Sequence, residues 1–451
     1  MKILIDTPCG KIQGILSDEI IAYKGIRYAT ANRFEYPKLV TSWDGIYDAT
    51  KYGNCSYQAR AFKDESLNPK KIFYYNEFRK GESYTYSEDC LFLNIWTPSN
   101  VNENDKLPVL IYIHGGGFTG GCGHELHFDG PIWPKKGIIG VTINYRLGPL
   151  GFIAMKELKD IDNHTGNYGL FDQLAAMTWV KNNISSFGGD PNNITIMGQS
   201  AGAMSVLKHC ISPLTDGIFN KAIMLSGGGV SNLLKEPDES KYFDFWRKVM
   251  LDTGAKTIDE FKSVPVEVLF NSMNKIKKKS KIIGMISSPV IDGVYIKASG
   301  VENVKNSNYK KIPYIIGLTS EDIVPPVLNK MAAQWCSIQE CNSYSYLFNH
   351  QLPGDDKGSW HSSDLWYWFG TLKNCWRPLT NVDYELSDKM TTYLTNFVKT
   401  GNPNSDDLIK WDSTLEKTKK ALHLGNGYIG MKKLNKAKLW HSMLTNKAVG
   451  E

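Results

Sequence analysis

Ser200 lies in Gly198-Gln199-Ser200-Ala201-Gly202, between a short apolar run at 193–197 and a stretch of helical character at 201–210. A serine hydroxyl is a weak nucleophile. It needs a base to take its proton and donors to hold the negative oxygen formed on the carbonyl it attacks. A strand–turn–helix at this pentapeptide strains the serine backbone and projects its hydroxyl above the sheet. Gly198 and Gly202 let the strand and helix backbones approach closely, and the helix N-terminus favours the developing anion. With 40 glycines in the chain, a chance match in a Gly-rich turn is the plain alternative. What weighs against it is His114-Gly115-Gly116-Gly117-Phe118, which directly follows the apolar run 109–113. The N–H groups of Gly116 and Gly117, with that of Ala201, can converge on one oxyanion. This loop precedes the serine strand, in the chain order such a site requires. The chemistry these residues suit is acyl transfer.

The elements that must position them alternate. Apolar runs at 108–113, 138–144, 193–197, 221–225 and 314–317 read as buried strands. Longer helical stretches separate them; in residues 170–187, Leu174, Met177, Val180 and Ile184 recur at near-helical spacing. Strands separated by helices predict an α/β fold with a mostly parallel sheet covered on both faces. Segments at 10–28 read as antiparallel edge strands. Residues 233–281, charged and helical, and 322–349, with Pro325-Pro326 near the start, break the rhythm. Both are expected to be lid or pocket excursions from a single catalytic domain spanning 1–451.

Composition narrows the function classes. Hydrophobic residues at 42% and aromatics at 12% allow a large core and exclude disorder for the bulk of the chain. The net charge of +6 is spread over 52 basic and 46 acidic side chains, so no nucleic-acid partner is expected. No run approaches about 18 apolar residues, so no membrane span is expected. The N-terminal segment lacks a signal-like apolar core, which predicts a cytoplasmic protein whose eight cysteines are mostly free thiols. No cysteine pair has CxxC spacing, and neither a metal nor an organic cofactor is expected. A monomer is favoured, acting on a small-molecule ester.

Further segments carry a resemblance that runs nearly end to end. They are Lys24-Gly-Ile-Arg-Tyr-Ala29, Ser87-Glu-Asp-Cys-Leu-Phe-Leu-Asn-Ile-Trp96, the His114–Phe118 loop and Asn144-Tyr-Arg-Leu-Gly148. After them come Gly166-Asn-Tyr-Gly-Leu-Phe-Asp-Gln173, Phe187-Gly-Gly-Asp-Pro191, the serine pentapeptide and Asn396-Phe-Val-Lys-Thr-Gly-Asn-Pro-Asn404. Together they resemble the type-B carboxylesterases, the family of carboxylesterases, bile-salt lipases and cholinesterases. The resemblance implies the α/β-hydrolase fold and a serine ester hydrolase.

Such a site orders its parts Ser, acid, His along the chain. Gly358-Ser-Trp-His361-Ser-Ser-Asp-Leu365 resembles the family's histidine segment, so His361 is expected to be the base. Gly317-Leu-Thr-Ser-Glu321-Asp322-Ile323 corresponds to the acid loop, where the family usually has glutamate. Counting from Gly317 favours Asp322, with Glu321 the alternative. Ser226 and Asp364 match supporting polar positions near the histidine. Arg146 with Asp172, and Arg33 with Glu88, match loop-pinning ion pairs. Cys55 and Cys90 match a family disulfide that a reducing compartment would leave open.

Departures from the family narrow the substrate. Gln199 stands where cholinesterases place a carboxylate, and the 55–90 loop has no tryptophan to stack on a quaternary ammonium. Phe73, Tyr74, Tyr75 and Phe78 could line an entrance instead. Phe118, Ile283 and Met285, with Gln199, are expected at the substrate; Ile283 and Met285 imply an apolar acyl site with some room. Asp322 and His361 lie closer in sequence than is usual, which implies a more open pocket. These features predict a small to medium neutral ester cleaved through an acyl-enzyme. The alternatives are an amide or carbamate on the same machinery, and a non-catalytic, cholinesterase-like binding protein. The serine, histidine and acid argue against the last.

Overall fold

The computed structural model describes residues 1–232, 235–280, 282, 284–416, 420–425 and 427–434. Within them a 13-stranded sheet runs through the molecule. Its strands are β1 (Lys2–Thr7), β2 (Gly10–Ser17), β3 (Ile20–Arg27), β4 (Ile46–Asp48), β5 (Phe92–Pro98), β6 (Leu107–Ile113) and β7 (Ile139–Ile143). They continue as β8 (Gly189–Gln199), β9 (Lys221–Leu225), β10 (Tyr314–Thr319), β11 (Ser343–Phe348), β12 (Lys420–Gly425) and β13 (Tyr428–Lys433). The spatial order is β1-β2-β3-β5-β7-β6-β8-β9-β10-β11-β12-β13, with β4 beside β2. Every pair from β7 to β12 along this order is parallel. The flanking strands β1, β2, β3 and β5 are antiparallel, as is β13 at the far edge.

Strand period decides how the core divides. In β6, Val109, Ile111 and Ile113 point into one apolar cluster, and Leu110 and Tyr112 into another. β9 repeats this with Ala222 and Met224 against Ile223 and Leu225. Successive side chains on a strand face opposite ways, so a strand covered on both faces must be apolar throughout. That is why these segments read as unbroken apolar runs. Helix Tyr168–Asn183 occupies most of the expected helical stretch and continues as a 3₁₀ turn, Ile184–Phe187.

The two arrhythmic regions separate. Helices Phe243–Asp252, Ile258–Ser263 and Val266–Lys279 form an excursion with its own apolar cluster, including Trp246, Phe261 and Leu269. Residues 322–349, expected as a second excursion, instead supply helix Pro325–Ser337 and the core strand β11. The two prolines sit in the first turn of that helix, where a missing N–H costs no hydrogen bond. The serines and tyrosines of Ser343-Tyr-Ser-Tyr hid a strand buried along most of its length. No helix among the described residues is long and apolar enough to cross a membrane.

Candidate active site

Ser200 sits between the C-terminal end of β8 and helix Ala201–Ile211, with φ 55° and ψ −123°. A non-glycine residue there is strained, and the surrounding backbone must hold it. A Cβ on Gly198 would lie 2.3 Å from the Gly202 carbonyl oxygen, and one on Gly202 would lie 2.0 Å from that of Ile113. Only glycine fits either position, so the elbow is locked by backbone contact. Ala201 opens the helix, so its N–H has no carbonyl one turn back to accept it.

The loop after β6 presses against this elbow. A Cβ on Gly115 would be 3.1 Å from the Ser200 Cβ. Gly116 and Gly117 have φ of 108° and 62°, the left-handed region glycine enters at little cost. A Cβ on Gly116 would meet the Gly120 carbonyl oxygen at 2.1 Å. Phe118, expected at the substrate, is instead fully buried in the core, its ring 4.9 Å from that of Phe152. The physical reason is local: the turn at Gly116 and Gly117 sends the next side chain inward.

His361 and Asp322 are brought together although 39 positions separate them. His361 Nδ1 is 2.5 Å from Asp322 Oδ1. That oxygen also accepts from the Ile323 N–H at 2.8 Å, and Oδ2 accepts from the Thr319 hydroxyl at 3.0 Å and its N–H at 3.2 Å. Burial would raise the Asp322 pKa, but His361, with the Ser226 hydroxyl and the Ile323 N–H, outweighs it and holds the carboxyl below its ordinary value. Glu321 points elsewhere. Its carboxylate accepts from the Ser359 N–H at 2.8 Å and from the Ser320 hydroxyl, which ties the acid loop to the histidine segment.

The other face of the imidazole meets Gln199, whose amide nitrogen is 3.1 Å from His361 Nε2. A neutral imidazole with its proton on Nδ1 satisfies both contacts, donating to Asp322 and accepting from Gln199. The Tyr74 hydroxyl donates to the His361 carbonyl at 3.3 Å, and the Phe73 and Phe78 rings pack on Trp360 at 5.0 and 5.6 Å. Helix Ile72–Phe78 therefore backs the histidine segment, a role that aromatic composition could not assign. Thr319, also missed, offered no signal beyond standing three residues before Asp322.

Asp364 is buried nearby. Its Oδ2 accepts from the Tyr346 hydroxyl at 2.9 Å and from Trp368 Nε1 at 3.2 Å, while Oδ1 has no hydrogen-bond partner among the described residues. Burial raises its pKa to about 6. The Ser226 hydroxyl makes no hydrogen bond of ordinary geometry among the described residues, yet lies near enough to Asp322 to help hold it low. Arg146 grips Asp172 in a buried bidentate pair at 2.8 and 2.7 Å, and Arg33 grips Glu88. Met285 is 42% exposed, so it is not enclosed in a pocket, and Ile283 lies outside the described residues. Cys55 and Cys90 are both free thiols; the Cys55 sulfur neighbours Cys122 and His124 instead.

The residue pattern of the carboxylesterase family matches this chain over residues 2–334 and 324–440. The chain belongs to that family. It is 28% identical to the para-nitrobenzyl esterase of Bacillus subtilis over 483 aligned positions, covering 93% of this chain and 94% of that one. It is 33% identical to the fumonisin B1 esterase of Sphingopyxis macrogoltabida over 333 positions, 71% of this chain and 56% of that protein. A solved PNB esterase structure superposes with a TM-score of 0.82 at 25% identity, covering 98% of this chain and 99% of the other. The α/β-hydrolase fold and the activity class, a serine carboxylesterase, follow from this membership.

Proposed function

We propose that this carboxylesterase cleaves small to medium neutral esters, with Ser200 as nucleophile, His361 as base and Asp322 as orienting acid. His361 takes the Ser200 proton through Nε2 as the hydroxyl attacks the ester carbonyl. Asp322 keeps the other ring proton on Nδ1 and stabilises the imidazolium. The Gly116, Gly117 and Ala201 N–H groups hold the oxyanion, and His361 then protonates the departing alcohol. Water, deprotonated by His361, releases the acid from Ser200.

The observation that carries this reading is the 2.5 Å contact between His361 and Asp322, with His361 Nε2 beside Gln199, the neighbour of the strained Ser200. Gln199 beside the imidazole adds an uncharged amide, which supports a neutral substrate. The test has three arms. An organophosphonate should form one adduct, mapped by mass to Ser200. Asp322→Asn should lower kcat about 10⁴-fold by favouring the wrong tautomer, as in other triads, while Glu321→Gln leaves it nearly unchanged. A p-nitrophenyl ester series beside a matched anilide should favour the esters. Full activity without a Ser200 adduct, or the reverse order of the two acid variants, overturns the assignment.

A further inference from the structure

The far end of the loop that carries Gly116 and Gly117 holds a second cluster, which ester cleavage does not use. Cys55 Sγ, Cys122 Sγ and an imidazole nitrogen of His124 all lie within 4.8 Å of one another. Cys55 Sγ and His124 Nε2 are 3.6 Å apart. Both thiols are fully buried. Zn–S bonds of ~2.3 Å and Zn–N bonds of ~2.0–2.1 Å at a tetrahedral angle give an S···N edge of about 3.6 Å. The Cys55–His124 separation thus matches one edge of a zinc tetrahedron, and the other ligand pairs lie within 4.8 Å.

Neighbouring residues hold the ligands in register before any ion arrives. Asn144 accepts from the Gly123 N–H at 2.7 Å and donates to the Asn54 carbonyl at 2.9 Å, clamping the segments that bear Cys122 and Cys55. Gln58 makes a second clamp, accepting from the Gly121 N–H at 2.9 Å and donating to the Gly121 carbonyl at 3.0 Å. The Tyr52 ring stacks on His124 at 4.4 Å and 7°, which sets the plane of the imidazole. A cavity of about 110 Å³ lined by Tyr52, Ser83, Tyr84, Thr85, His124 and Asp129 adjoins it, with the buried Tyr84 hydroxyl unpartnered among the described residues.

We propose that Cys55, Cys122 and His124 bind a thiophilic divalent cation of the zinc class, with water from this cavity as fourth ligand. Two thiolates and a divalent ion sum to zero charge, so the buried complex avoids the cost of an unpaired charge. The two thiol protons leave to solvent on binding, and no redox change is involved. The ion would tie the far end of the loop to the segment that bears Cys55. Cys90 takes no part.

The test uses the full chain, reduced and stripped with a chelator, and titrated with Cd²⁺ alone. A thiolate-to-metal charge-transfer absorbance should rise and saturate at one equivalent. Zn²⁺ should displace it and raise the Tm of the wild-type protein. Cys55→Ser and Cys122→Ser should each lose the stoichiometric band, and Cys90→Ser should keep it. Absence of the band in the wild type with free thiols verified by mass, or its survival in both Cys55→Ser and Cys122→Ser, overturns the proposal. So does a native Cys55–Cys122 disulfide whose reduced form binds no Cd²⁺. The Tm shift of the unmutated chain keeps the test decisive should a serine variant fail to fold.

Discussion

The loop from His114 to His124 is held differently at its two ends. At the Ser200 end the restraint is steric: Gly115 lies against Ser200, and Gly202 leaves no room beside the Ile113 carbonyl. At the other end polar contacts add to the close backbone packing of Gly121 and Gly123. Asn144 and Gln58 clamp the backbone, and Glu125 forms an ion pair with Arg60 at 2.6 Å, buried on both sides. Steric restraint tolerates almost no displacement, which suits atoms proposed to face a reacting carbonyl. Polar restraint stabilises the fold but transmits less to the chemistry. Damage at the near end should therefore appear in turnover, and damage at the far end in stability.

The sharpest way to break this comparison starts with Ser200→Ala, which should lower kcat by about 10⁴–10⁶-fold. Its Tm should stay close to wild type, read by p-nitrophenyl acetate hydrolysis and circular dichroism. Glu125→Ala strands Arg60 without its buried partner and should cost about 3–5 kcal/mol in urea unfolding. The kcat of its folded fraction should remain near wild type; a large kcat loss would erase the proposed division. Gly202→Ala should do both, lowering kcat and costing about 1–3 kcal/mol through overpacking.

The smallest effects lie in pH. Burial opposes ionisation of Glu125, yet Arg60 and Arg79 prevail and hold it at about 2. A lowered carboxylate stabilises the fold above its ordinary range, and that contribution is lost as pH falls toward 2. Asp364 has the opposite sign. Raised to about 6, it makes the fold less stable as pH climbs from the ordinary aspartate range through 6. Thermal melts at pH 3–8 should show Asp364→Asn gaining on wild type as pH rises, and Glu125→Gln losing most at neutral pH.

The parallel sheet was legible because strands buried on both faces must be apolar at every position, as in Val109–Ile113. The strand Ser343–Phe348 escaped notice because its serines and tyrosines are buried without looking apolar. Among expected site residues, Ser200 could be placed by its flanking glycines, whereas Phe118 turned into the core and Met285 stayed exposed. Neither outcome has a sequence signal. Each depends on which way a loop turns once it packs.

The chain's own order determined the elbow: an apolar strand, a pentapeptide with glycines where backbones meet, and a helix follow one another along the sequence. Local sterics suffice there, because every contact partner lies within a few residues or on the adjoining strand. Counting from Gly317 already favoured Asp322, but only tertiary structure brings it rather than Glu321 to His361, since neighbouring residues on one loop point apart. It also decided that Cys55 meets Cys122 and His124 rather than Cys90. Those pairings join segments far apart in the chain, and the spacing of residues along a sequence carries no record of which loops the sheet will bring together.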